Sequence, residues 1–417
     1  MLRDLLKTAS LAATVVVLTP LAAAGYLQRL WPLRPRDTPG SRRAVVVTPF
    51  RPGEESGGAR AVLELEQDLR SRGTLLTVLS LRDAHLPWGL RGVISRWLSR
   101  PLPLPPTCRE ILLGGPALSA SLASADVVVF EFFATALAVF LRRPLATRTV
   151  LRDHEVLLRK LAIDYRGSGG VDALQVALRW AACYLVSLVV YAKVHRIVAL
   201  TQEDAQSIRA HFPWLAANVT TIPVSFRMPV RPTREAGTPQ VRDLVMVGNF
   251  FHTPNVDALR WFLADCAPHL GAGFVLHVFG IDGPLDALDL SHTSIRVVRH
   301  GFVDALETAL PTSAIAVSPV VSGGGVRMKN LLLASLALPV VTTPLGNEGI
   351  GFTDGVDAIV TADGREMAAR IAALASAGAA QMGDRGRTFV EAQFGAQEAG
   401  NRLMAEVFPE WAPTTAP

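Results

Sequence analysis

The chain has 417 residues and a mass of 44.7 kDa, beyond the size at which one hydrophobic core keeps growing, so two compact domains are expected. Hydrophobic residues make up 50% and charged residues 18%, which excludes a mainly disordered chain. The formal charge of +5 is divided unevenly: residues 1–225 carry 27 Lys+Arg against 17 Asp+Glu and the remainder 14 against 19, so an anionic surface or ligand is expected at the first half.

Thr8 through Gln28 is uncharged for 21 residues, close to the roughly 20 needed for a membrane-spanning helix, and reads as a signal anchor. A cleavable signal peptide is the rival reading, because Ala22-Ala23-Ala24 satisfies the small-residue rule for cleavage. Arg29, Arg34, Arg36, Arg42 and Arg43 follow it, against Arg3 and Lys7, with Asp4, before it. The positive-inside bias therefore leaves the body in the cytoplasm. Residues 1–40 are taken as membrane anchor and basic linker.

Residues 41–225 read as a first α/β domain. Ala44–Phe50 is a buried strand, followed by a loop with Gly53, Gly57 and Gly58, a helix over Ala59–Arg72 and a second strand at Leu75–Leu81. Strand, glycine loop, helix and strand form a right-handed βαβ unit. From Pro87 to Pro101, Trp88, Leu90, Ile94, Trp97 and Leu98 interleave with Arg91, Arg96 and Arg100, the pattern of a short interfacial helix. Strands follow at Asp126–Phe130, Thr149–Arg152 and Arg196–Leu200. The uncharged run Trp180–Ala192 reads as a buried core helix or a membrane-adjacent one, and is too short to span a bilayer.

Prolines 229, 232 and 239 with Gly237 mark a linker. Residues 240–395 then repeat the α/β pattern. Strand Leu244–Val247 and Gly248 precede a helix over Asn255–Leu270. Strands at Phe274–Phe279, Ile295–His300, Ala314–Pro319 and Pro339–Thr342 come next, then helices at Arg365–Ala377 and Gly383–Phe394. Residues 396–417 form a C-terminal helix and tail. The expected fold is therefore α/β, with two Rossmann-like domains facing a cleft, since ligands of parallel sheets bind beyond the carboxyl ends of the strands.

Ser322-Gly323-Gly324-Gly325 follows a strand and opens a helix, where backbone N–H groups can approach a phosphate; a tight turn is the commoner cause of such a glycine run. Arg327 and Lys329 sharpen the phosphate reading, because cations at a helix start oppose its dipole unless an anion is there. Glu348 lies in the loop after the next strand and could accept from a ribose or sugar hydroxyl, or be an exposed loop acid. Gly248, with Asn249 and His252, follows the first strand of this half. His154, flanked by Asp153 and Glu155, and Glu131 each sit at a strand's carboxyl edge in the first half. Cys108, Cys183 and Cys266 form no C-x-x-C pair, so neither a disulfide framework nor a cysteine metal site is drawn. No basic run interleaves with aromatics in a nucleic-acid module.

Three stretches resemble the nucleotide-sugar half of family 4 (group 1) glycosyltransferases: VGNFFHTPNVDALRWFL (Val247 to Leu263), VSGGGVRMK (Val321 to Lys329) and LPVVTTPLGNEGI (Leu338 to Ile350). In the first half Thr48–Gly73, LRDHEVLLRK (Leu151 to Lys160) and VALTQEDAQSIR (Val198 to Arg209) are similar to its first loop, acceptor loop and final helix. The resemblance implies a GT-B fold and a nucleotide-diphosphate-sugar donor, with retention of configuration and neither a cofactor nor an obligatory metal. It implies donor contacts at Gly248, Asn249, Ser322, Gly323, Gly324, Gly325 and Glu348, charge stabilisation by Arg327 and Lys329, and an orienting role for His154. Gly57, Gly58 and Glu131 fall on the acceptor side. A glycan or lipid-linked acceptor, the membrane and no nucleic acid are the implied partners. The family's paired glutamates fall on Gly324 and Leu332, so neither acid is present. That departure keeps open an alternative from another class, a catalytically degenerate member that binds or scaffolds in envelope glycan assembly.

Overall fold

The computed structural model describes residues 2–27, 43–50, 57–80, 116–139, 148–166, 170–230, 241–281, 283, 294–311, 313–323, 325–376 and 378–407. The interfacial helix expected at 87–101 and the linker prolines at 232 and 239 lie outside them.

Chain contacts divide the protein into two units, Met1–Pro223 with Gly400–Pro417, and Val224–Ala399. The first begins with α1 (Leu2–Leu27), β1 (Arg43–Thr48), α2 (Gly57–Ser71), β2 (Leu75–Ser80), α3 (Pro116–Ser124), β3 (Val127–Glu131) and α4 (Phe133–Ala136). It continues with β4 (Arg148–Asp153), α5 (Leu157–Arg166), α6 (Gly170–Lys193), β5 (Arg196–Ala199), α7 (Gln202–His211) and β6 (Val219–Thr221). The strands form one parallel sheet in the order β2-β1-β3-β4-β5-β6. Because both faces are covered, β1, β3 and β5 are almost unbroken apolar runs, with Val46, Val47, Val128, Phe130 and Ile197 fully buried. The strand order reverses at β1 and β3, β2 lying on one side of β1 and β3 to β6 on the other, which places this unit's switch point at the loops after Thr48 and Glu131.

The uncharged run Trp180–Ala192 is the end of α6, a helix of 24 residues. Its Asp172–Lys193 stretch is by length and composition long and apolar enough to cross a bilayer, so the run expected to be too short to span belongs to a longer helix. Arg179 and Asp172 do not interrupt a helix, only its apolar run. Val186, Val189, Val190 and Tyr191 of α6 are buried in the unit's core.

The second unit contains β7 (Asp243–Val247), α8 (Thr253–Trp261), β8 (Val275–Phe279), β9 (Arg296–Gly301), α9 (Leu306–Ala309), β10 (Ile315–Ser318) and α10 (Met328–Ser335). It closes with β11 (Val340–Thr342), α11 (Pro344–Asn347), β12 (Ala358–Val360), α12 (Gly364–Ser376) and α13 (Ala379–Phe394). Its six strands are parallel in the order β12-β11-β10-β7-β8-β9. This is the dinucleotide-fold order, with its switch point between β7 and β10. The helix expected over 255–270 starts two residues earlier, with Pro254 in its first turn, and after Trp261 passes into a π-helical turn and a 3-10 turn ending at His269. The last helix, α14 (Ala396–Val407), carries Leu403 and Met404 into the first unit's core beside Val62, Leu65 and Val129.

Candidate functional site

In the first unit the carboxyl edges of β3 and β4 build one charged cluster. Glu131 ends β3 and pairs in register with Arg152. Along β4, residues two apart share a face, so Arg152 and His154 both reach Glu131 while Asp153 faces away. Arg152 Nη1 donates to Glu131 Oε1 at 2.8 Å and His154 Nε2 meets Glu131 Oε2 at 2.6 Å. All three side chains are buried.

Burial pushes the Glu131 carboxyl up, but Arg152 and the His154 hydrogen bond more than offset it and hold it below its ordinary value. Burial pulls His154 below the usual imidazole range. The cluster is thus an Arg152–Glu131 ion pair with a neutral imidazole donating Nε2–H to the carboxylate and carrying its lone pair on Nδ1. Asp153, on the other face, accepts at 2.6 Å from the Tyr191 hydroxyl of α6, and burial raises its carboxyl to about 7.

Phe132 follows Glu131 with φ 71° and ψ 143°, a positive-φ backbone outside the left-handed helical region that costs a non-glycine residue roughly 1–3 kcal/mol. Its N–H is held by the Arg152 carbonyl at 2.9 Å. Its ring lies parallel to His154 and meets Phe50 edge-on at 5.3 Å. Gly58, in the first turn of α2, has both rings where a Cβ would be: the Phe50 and Phe132 Cζ atoms stand 2.7 and 2.8 Å from that point. Gly58, Glu131 and His154 therefore come together at this switch point. Gly57 begins α2 beside them in sequence.

In the second unit the residues after β7 and β10 are joined by the start of α8. Lys329 Nζ donates to Asn255 Oδ1 at 2.9 Å, and Asn255 Nδ2 donates to the Asn249 carbonyl at 2.8 Å. Gly248 packs against Asn255, whose Cγ lies 3.0 Å from where a Cβ would sit. Ser322 Oγ donates to Asp257 Oδ2 at 3.2 Å. Gly323 takes φ 90° and lies against Pro254, a turn only glycine adopts freely. Arg327 precedes α10 and Lys329 is in its first turn; burial, with Arg327 adding to it, lowers the Lys329 amine to about 8.

Asn330 of α10 donates to the Gly346 carbonyl at 2.9 Å, tying α10 to α11, and Glu348 follows the end of α11, half-buried. Leu332 is also half-buried and lies one turn beyond Lys329 on the same face of α10. Gly324 lies outside the described residues. No group of three or more metal-ligating side chains occurs among the described residues. Sequence reading missed Arg152, Phe132 and Asn255 as members of these clusters; the alternation of Arg152 and His154 along a strand was the one available signal.

Residues 241–377 match the sequence profile of the family described as glycosyl transferases group 1. No curated protein matches the chain in sequence. Among solved structures, Anabaena HepE in complex with UDP and glucose is 12% identical with a TM-score of 0.58, covering 88% of this chain and 100% of that one. Sucrose-phosphate synthase from Thermosynechococcus elongatus is 14% identical with a TM-score of 0.66, covering 88% and 98%. A TarM mutant from S. aureus, in complex with fondaparinux, alpha-GlcNAc-glycerol and UDP, is 13% identical with a TM-score of 0.56, covering 73% and 59%. At these identities the likeness establishes a shared fold, which in this chain is two units, each with a parallel six-stranded sheet.

Proposed function

We propose, from the match of residues 241–377 to the group 1 glycosyltransferase profile, that the chain is a retaining glycosyltransferase moving a sugar from a nucleotide-diphosphate donor to a lipid-linked or envelope-polysaccharide acceptor. The observation that carries this reading is the network at the second switch point, where Asn255 links Lys329 to the Gly248-Asn249 loop beside Gly323. Backbone N–H groups there and two cations suit a diphosphate. In transfer, the bond from the anomeric carbon to the diphosphate oxygen breaks as the acceptor hydroxyl oxygen bonds to that carbon on the same face, and the hydroxyl proton passes to the departing diphosphate. Arg327 and Lys329 offset the charge that collects on the departing diphosphate. In the first unit His154, held by Glu131, orients the sugar and acceptor, with Gly57 and Gly58 on the acceptor side; no metal or cofactor is required in this scheme.

The basic first half and the apolar amino-terminal helix support a body attached to the membrane on the cytoplasmic side, where activated sugars are made. Structural relatives solved with UDP agree with a nucleotide donor. Titration calorimetry with uridine, guanosine and adenosine diphosphates tests the reading, followed by a donor screen read by mass spectrometry. Binding of one diphosphate and turnover of its sugar derivative are expected. Leu332, placed where the family holds an acid, favours a second reading, a glycan-binding scaffold without transfer; absence of diphosphate binding would select it.

A further inference from the structure

The amino-terminal helix α1 is part of the first unit's fold. It packs lengthwise on α6, and its covered positions are Leu11, Thr14, Leu18, Ala22 and Gly25, the three-and-four spacing of one helix face. Leu18 and Ala22 join the same core cluster as Ala182, Cys183 and Val186 of α6. Gln175 Nε2 donates to Thr8 Oγ1 at 3.3 Å, and buried Thr14 returns its hydroxyl to the Ser10 carbonyl at 2.8 Å. α6 cannot leave for a bilayer, since its last two turns are buried in the core and β5 begins three residues after it. A helix docked along α6 over this length cannot cross the bilayer alone without stripping that face.

The other face of α1 is what a soluble domain does not keep. Val16 is 71% exposed and Leu27 61%, with Val17 and Leu21 also exposed. No charged residue occurs from Thr8 to Gln28, yet Arg3 and Lys7, with Asp4, precede the run and Arg29, Arg34, Arg36, Arg42 and Arg43, with Asp37, follow it, a net positive charge on each side. An apolar stripe bounded by cations at both ends fits an interface of hydrocarbon beneath anionic headgroups.

We propose that the outer face of α1 is a bilayer contact: the first unit rests on an anionic leaflet with α1 lying in the membrane plane, docked on α6, rather than crossing it. This deepens the membrane part of the proposed function, and sugar transfer is not read by its test. The full-length chain is mixed with vesicles of phosphatidylethanolamine and phosphatidylglycerol and floated on a density gradient. Wild type is expected to float and the double variant Val16→Glu/Val17→Glu to lose at least tenfold in vesicle affinity, with its thermal midpoint unchanged. Leu18→Glu, on the covered face, is expected to lower that midpoint. In sealed cell-membrane vesicles with the cytoplasmic face outward, Leu2→Cys and Gln28→Cys, each on a Cys108→Ser background, should both react with an impermeant maleimide without detergent. Labelling of one end only after detergent would mean that α1 spans. A double variant that floats like wild type, or a wild type that ignores vesicles and forms a dimer dispersed by the same substitutions, overturns the proposal.

Discussion

Phe132 lies flat against His154, their ring centroids 3.8 Å apart and their planes 18° from parallel. The contact joins a strained backbone to a neutral imidazole, and backbone strain of this kind is kept where the surroundings hold it for a purpose. Phe132→Ala is expected to admit water to the imidazole and let His154 titrate closer to its ordinary value. Phe132→Tyr, which keeps the ring, is expected to restore the low value. Histidine resonances followed by NMR against pH check both. If His154 titrates identically in all three proteins, the stacked ring does not set its charge state.

Asp153 provides a pH test of stability. Its carboxyl is raised to about 7 by burial, so the folded chain takes up a proton there that the unfolded chain, with a pKa near 4, releases. Stability contributed by this group is present at low pH and falls as pH rises from about 4 to about 7, by at most ~1.4 kcal/mol per unit. In Asp153→Asn that slope should vanish while the Tyr191 hydroxyl keeps an acceptor. Urea unfolding of both proteins across that range decides it, and parallel curves would sink the assignment.

Lys329 should make diphosphate binding pH-dependent. With its amine lowered to about 8, the cation is lost as pH rises through that value, and affinity for a nucleoside diphosphate should fall with it. Lys329→Arg, whose charge does not titrate in this range, should bind equally at about pH 7 and about pH 9. Lys329→Ala should lose more than tenfold, since a charge-assisted hydrogen bond contributes roughly 1.5–3 kcal/mol. Calorimetry on the three proteins checks this. Unchanged affinity in Lys329→Ala would place the diphosphate elsewhere.

A leucine accepts no hydrogen bond from a ribose, so under the proposed function the donor ribose would depend on Glu348 or on water. Leu332 is half-buried, which lets a carboxylate at this position stay solvated and avoids the several kcal/mol of a buried unpaired charge. Leu332→Glu should therefore tighten nucleotide binding with little change in thermal midpoint, and Glu348→Gln should weaken it several-fold. If Glu348→Gln binds and turns over as wild type and Leu332→Glu only destabilises, the compensation by Glu348 is wrong.

The strands that carry these sites were legible because parallel strands buried on both faces become continuous apolar runs, as in Val45–Val47 and Val127–Phe130. Two edge strands, β6 and β12, went unread: three residues with one neighbour each leave neither period nor run. His154 and Glu131 could be placed at strand edges one by one. Their mutual contact depends on the register of β3 with β4, which local pattern does not encode. Asn255 sits in TPNVDAL, where an amide at a helix start looks like ordinary capping chemistry, so its link to a lysine 74 residues away was out of reach.

Helix α6 answers to two masters. At its carboxyl end Tyr191 grips Asp153, the neighbour of His154, and along its flank it is roofed by α1. Trimming the amino terminus to obtain a better-behaved sample would therefore unroof the beam on which the histidine loop is hung. A shortened chain that loses turnover while lipid is absent from the assay would be reporting slack in that beam, and Leu18→Glu in the full chain should reproduce the same slack.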